Sequence, residues 1–128
     1  MTLSIGPAGL WVNDLDASER FYVDGLGLEV TARIETEHVS EVIVASSTAG
    51  FQLMLARSIS PRVIEVVGGI WKIFMFSDDA EADFARALAA GGTPVAQPAV
   101  HANVGFKIAL VEDLDGYLLE FGQRLATT

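Results

Sequence analysis

The strongest constraint on this chain is an internal repeat. The segment Val12-Asn13-Asp14-Leu15-Asp16-Ala17-Ser18-Glu19-Arg20-Phe21-Tyr22, closed by Gly25-Leu26-Gly27, returns in degenerate form. The second copy is Phe76-Ser77-Asp78-Asp79-Ala80-Glu81-Ala82-Asp83-Phe84, leading to Leu88-Ala89-Ala90-Gly91-Gly92. Pairing Asp14 with Asp78 and Gly27 with Gly91 gives a constant offset of 64 residues. Each copy reads strand, acidic turn, helix, glycine stop, strand. Two such units predict a pseudo-twofold arrangement with a concave surface between two sheets, where a small molecule would sit.

A length of 128 residues suits one domain or two closely paired modules. The modules are expected over residues 1–57 and 69–128, with a connector over 58–68. Apolar residues make up 51% of the chain, enough for a full core. No apolar run reaches membrane-spanning length and no basic, apolar leader is evident, so a cytoplasmic protein without a membrane partner is expected. The chain has no cysteine, which removes disulfides, thiolate nucleophiles and thiolate metal ligands. A net charge of −9 argues against nucleic acid as a partner. It serves solubility, and it would also draw in a cationic ligand.

Hydrophobic periodicity and breaker residues predict strands over 8–12, 28–35, 41–46, 51–56, 71–76, 94–96, 107–112 and 117–122. Helices are predicted over 17–26 and 80–90. Asp14 or Asp16 serves as N-cap of the first, and Gly27 stops it. The segments 58–69 and 97–105 read as a connector, with a short apolar stretch over 63–67, and a loop. Gly116, in Asp113-Leu114-Asp115-Gly116, suits a turn with positive φ. Gly25 and Gly27 follow a helix rather than open one, so they form no phosphate loop.

Side chains alternate along a strand. One set is apolar throughout: Ala8, Leu10, Val12, Phe51, Leu53, Leu55, Phe74, Phe76, Ile108, Leu110, Leu119 and Phe121. It should pack beneath helices that present Phe21 with Leu26 and Phe84 with Leu88. The other set is mixed: Pro7, Gly9, Trp11, Gln52, Met54, Trp71, Ile73, Met75, Lys107, Ala109, Leu118 and Glu120. Large apolar groups with isolated polar ones fit a ligand cavity. A subunit interface is the competing reading.

The opening Val12-Asn13-Asp14-Leu15, with Ser18, Phe21-Tyr22 and Leu26-Gly27, resembles that of the vicinal oxygen chelate superfamily. This group includes glyoxalases, bleomycin-resistance proteins and extradiol dioxygenases. The close, Val111-Glu112-Asp113-Leu114-Asp115-Gly116-Tyr117-Leu118-Leu119-Glu120-Phe121, resembles its aspartate–glycine hairpin and final glutamate. The resemblance implies an α+β fold of two βαβββ modules, whose curved mixed sheets form a concave cleft, commonly in a homodimer. Metal-dependent members carry one ligand on each of four strands. Those positions fall here on Pro7, Gln52, Trp71 and Glu120. Proline offers no donor and an indole is no useful ligand, so the resemblance implies a member without the metal centre and with no cofactor.

The ligand-binding candidates are therefore Trp11, Gln52, Met54, Trp71, Met75, Lys107 and Glu120. The tryptophans would stack on a planar or cationic group, and Gln52 would orient a carbonyl or amide. Glu120 would act as a base, accept a ligand hydrogen bond, or pair with Lys107 on the adjacent strand. Two histidines are present: His38 in the acidic turn Glu35-Thr36-Glu37-His38, and His101 in the loop before strand 7, where it would reach a ligand or act as a base. The leading expectation is a metal-independent protein that sequesters an amphipathic or cationic aromatic compound. The alternatives are a lyase or isomerase acting next to a carbonyl through Glu120 or His101, and a metal-dependent enzyme if the strand register is shifted.

Overall fold

A computed structural model describes residues 6–47, 52–64 and 70–126. Phe51 and the connector residues 65–69 lie outside the described residues. The chain divides into two compact units, Met1–Ile64 and Glu65–Thr128.

In the first unit, β1 (Ala8–Trp11) leads through an acidic turn into α1 (Leu15–Arg20). Three strands follow: β2 (Glu29–Glu35), β3 (Val39–Ala45) and β4 (Gln52–Ser58). The sheet order is β1-β4-β3-β2, with β1 parallel to β4 and the other pairs antiparallel. The second unit repeats this plan: β5 (Ile73–Phe76), α2 (Ala80–Ala89), β6 (Thr93–His101), β7 (Phe106–Glu112) and β8 (Leu118–Arg124). Its order is β5-β8-β7-β6. The architecture is the expected α+β pair of βαβββ modules.

Both helices start the same way. The Asp14 side chain accepts from the Ala17 N–H, and Asp79 accepts from the Ala82 N–H. Each satisfies one of the free N–H groups of a first turn. Asp79, not Asp78, is therefore the partner of Asp14, and the offset there is 65 residues rather than 64. The strands agree, since Ala8–Trp11 and Ile73–Phe76 share that offset. The helix stops do not: Gly27, at φ 80°, and Gly91, at φ 107°, are 64 apart. The missing residue is in the helix. After Arg20 the first helix widens into a π turn, Phe21–Gly25, which holds one extra residue.

The structure also corrects the sequence reading of the β5 faces. In unit 1 the expected faces are observed. Leu10, Val12, Leu53 and Leu55 are buried, and α1 packs on β3 and β4. In unit 2 alternation and apolar character placed Phe74 and Phe76 beneath α2, yet Phe76 is 69% exposed and Phe74 40%. The side chains turned toward α2 are those in register with Leu119 and Phe121, namely Ile73 and Met75 on β5, and Ala109 and Val111 on β7. Ile108 and Leu110 alternate with Ala109 and Val111 and so lie off the helix side.

The remaining differences are local. The strand predicted over 94–96 extends to His101, because β6 is an edge strand. Its register shifts near Pro94, Ala96 and Ala99, and an edge with bulges tolerates the prolines. The β7–β8 turn is held by buried Asp113, whose Oδ1 accepts from the Asp115 and Tyr117 N–H groups, with Gly116 at φ 93°.

Candidate functional site

Each sheet has a face turned away from its own helix, and in the first sheet this face carries the candidates. In unit 1 that face holds Gly9 and Trp11 of β1 with Gln52 and Met54 of β4. A side chain at Gly9 would meet nothing within 4 Å, so the surface beside Trp11 is open. The Arg62 guanidinium lies 4.3 Å from the Trp11 ring centroid, a cation–π distance. The Gln52 carbonyl oxygen accepts from the Thr31 hydroxyl at 3.2 Å. Trp11, Gln52 and Met54 thus share one face, as the alternation predicts.

Unit 2 departs from expectation at three residues. Met75 is in register with buried Phe121 and lies on the α2 side. Lys107 is also on that side: its Nζ is 2.5 Å from Glu81 Oε1 on α2, and it pairs with Gln123, not Glu120. Trp71 precedes β5 and is 76% exposed. With the offset at 65, the counterpart of Pro7 is Lys72. Met75 and Lys107 were misplaced because alternation was read with the wrong parity in both β5 and β7.

What unit 2 brings together away from α2 is Lys72, Phe74, Phe76, Phe106, Glu120 and Arg124. Glu120 is 5% exposed and lies in register with Phe74 on one side and Leu110 on the other. The Lys72 Nζ stands 2.5 Å from Glu120 Oε1 and 3.9 Å from the Trp71 ring centroid. That close approach lacks hydrogen-bond alignment, so buried Oε1 has an ion-pair partner but no directed donor.

The aromatic side chains pack edge-on. Phe74 meets Phe76 at 5.0 Å and Phe106 at 5.7 Å between centroids. Arg124 lies over Phe76 and Phe106 at 4.9 and 5.4 Å. Gly122 makes the cluster possible. A Cβ there would fall 2.3 Å from the tip of the Phe74 ring and 3.2 Å from Phe106. Lys72, Phe106, Gly122 and Arg124 were not candidates from sequence, because the parity error hid them.

His101 ends β6 opposite Phe106, while Glu120 is opposite Leu110 on the other side of β7. The two are two strands and four residues apart, about 16 Å by ordinary sheet spacings. The sheet therefore does not join them into an acid–base pair. His38 is exposed, with Nε2 3.1 Å from Glu37.

Among the described residues, the side chains at these positions make no donor set for a divalent metal. Pro7 has no side-chain donor. The counterpart of Glu120 in unit 1 is Met54, since Glu120 lies beside Phe74 and Met54 beside Gly9. Lys72 at the remaining position is a donor-only cation, already set against the carboxylate. Among the described residues no three His, Cys, Asp or Glu side chains cluster as metal ligands. Also among these residues, no helix is long and apolar enough to cross a membrane.

The family model for the Glyoxalase/Bleomycin resistance protein/Dioxygenase superfamily matches residues 4–121. The chain belongs to this superfamily. Among solved structures of the fold, it is similar to TnmS3, an antibiotic binding protein from Streptomyces sp. CB03234. That match has 23% identity and a TM-score of 0.76, and covers 97% of this chain and 98% of the other. It is also similar to TioX from Micromonospora sp. ML1, with 26% identity, a TM-score of 0.67 and coverage of 95% and 99%. A glyoxalase family protein from Bacillus cereus superposes with a TM-score of 0.86 at 16% identity, covering 98% and 97%. No curated protein matches the chain.

Proposed function

We propose that this superfamily member is a metal-independent small-molecule-binding protein that sequesters an amphipathic aromatic compound. The carrying observation is the Phe74–Phe76–Phe106 cluster on the sheet face opposite α2, with Phe74 and Phe76 exposed, Phe106 half-buried and Arg124 flanking them. A sheet face serving only solubility would be polar there. Exposed rings beside isolated charged groups instead suit stacking on a planar ligand. The antibiotic-binding role of TnmS3 supports the reading, as a use to which this fold lends itself. A homodimer belongs to the same proposal, and light scattering tests it.

Proton abstraction by Glu120 has less support. Its Oε1 is buried beneath the Lys72 ammonium, which separates it from a carbon acid.

The test is a fluorescence titration with a planar aromatic dye lacking an amine. The wild-type chain should bind it, and Phe76→Ala should weaken binding about tenfold, the loss of one good ring contact at about 1.4 kcal/mol. Dyes of several shapes that fail to bind, or that bind both proteins equally, would refute the proposal.

A further inference from the structure

The arrangement around Glu120 has the parts of a cation-binding site. A carboxylate oxygen is buried, an exposed indole stands beside it, and one ammonium touches both. A carboxylate and an aromatic face are the two groups that best hold an alkylammonium. The ammonium found there belongs to the chain itself. We propose that Trp71 and Glu120 form an amine-binding site in which Lys72 is a tethered occupant, and that the cationic amine of a ligand enters by displacing it.

Three observations make Lys72 an exchangeable occupant. It precedes Ile73, the first paired residue of β5. Its side chain keeps a quarter of its surface in solvent, at 26%, against 7% for Glu120, which gives the ammonium a route outward. The contact with Glu120 Oε1 lacks hydrogen-bond alignment, so an incoming N–H can do better than the resident one. Exchange replaces one ammonium by another, and the charge of the site is unchanged. Selectivity then comes from the rest of the ligand, which is where the phenylalanine cluster enters. The inference rests on the small-molecule reading above and adds a ligand class to it: an amine joined to an apolar or aromatic body.

Removing Lys72 should leave the buried carboxylate without its cation, a costly state. Lys72→Ala should therefore lower Tm, and n-butylammonium chloride should restore it. At ten times its Kd the probe should raise the Tm of Lys72→Ala by about 5 °C. The double variant Lys72→Ala/Glu120→Gln should show no such recovery. Sodium chloride at equal concentration controls for screening. Rescue in the single variant alone supports the site. No rescue, or equal rescue in the double variant, overturns it.

A second measurement covers the case in which Lys72→Ala does not fold. The chain has two tryptophans, Trp11 and Trp71, so Trp11→Phe isolates Trp71. Its emission should respond saturably to n-butylammonium with Lys72 in place, and a linear response shared with sodium would count against the proposal. Dye binding with no amine effect would sink this inference alone. Amine rescue without dye binding would sink the stacking role of the cluster.

Discussion

At the residue scale, two positions are governed by single contacts. Gly122 is needed for the space it leaves. Gly122→Ala should push the Phe74 ring outward at a cost of about 1–2 kcal/mol, and it should abolish dye binding while circular dichroism stays native. Unchanged binding would mean that the packed cluster is not the docking surface. The Glu19 carboxylate is held below its ordinary range, first by its hydrogen bonds from Arg33 and then by that charge, against opposing burial. Its folded value lies below its unfolded one. The resulting stability is fully present above the ordinary carboxylate range and is lost as pH falls through the folded value. Glu19→Gln should therefore lower Tm slightly at pH 7, and the gap from wild type should close as the solution is acidified below that range. The contact is on the surface, so high salt should shrink the gap as well.

At the element scale, the two caps do the same job on helices of different length. Asp79→Ala should destabilise the chain by about 1 kcal/mol through loss of the bond to the Ala82 N–H, readable in urea midpoints. Much at this scale was legible from sequence: two helices, eight strands, the turn at Gly116 and both glycine stops follow from patterning and breaker residues. The first sheet's faces were legible too, because Trp11, Gln52 and Met54 alternate with Leu10, Leu53 and Leu55. The second sheet's faces were not. β5 is apolar on both sides, so Phe74 and Met75 look equally suited to a core, and alternation leaves its parity open. Lys72 was hidden by the 64-residue offset, which pairs Pro7 with Trp71, although the dipeptide Trp71-Lys72 was visible. The acidic doublet Asp78-Asp79 concealed the correct cap, since either residue satisfies the pattern. The extent of β6 was hidden by Pro94 and Pro98, which read as breakers away from a sheet edge.

At the scale of the whole molecule, net charge and site chemistry point the same way. A chain carrying −9 attracts cations over distances set by ionic strength. Association of a cationic aromatic compound should slow several-fold between 20 and 200 mM salt, as stopped-flow fluorescence would read, whereas a neutral analogue should show no such dependence. Equal salt response for both would remove any role for the overall field. The π turn of the first helix has a consequence at this scale too. A residue added to a helix advances the chain by about 100° around its axis, which a locally widened turn can absorb. The same residue counted into a strand is a half-turn, inside exchanged for outside. Duplicated halves of one protein can thus superpose closely while their numbering slips out of phase, and a slip harmless to the helix exchanges which strand residues meet solvent and which meet the core.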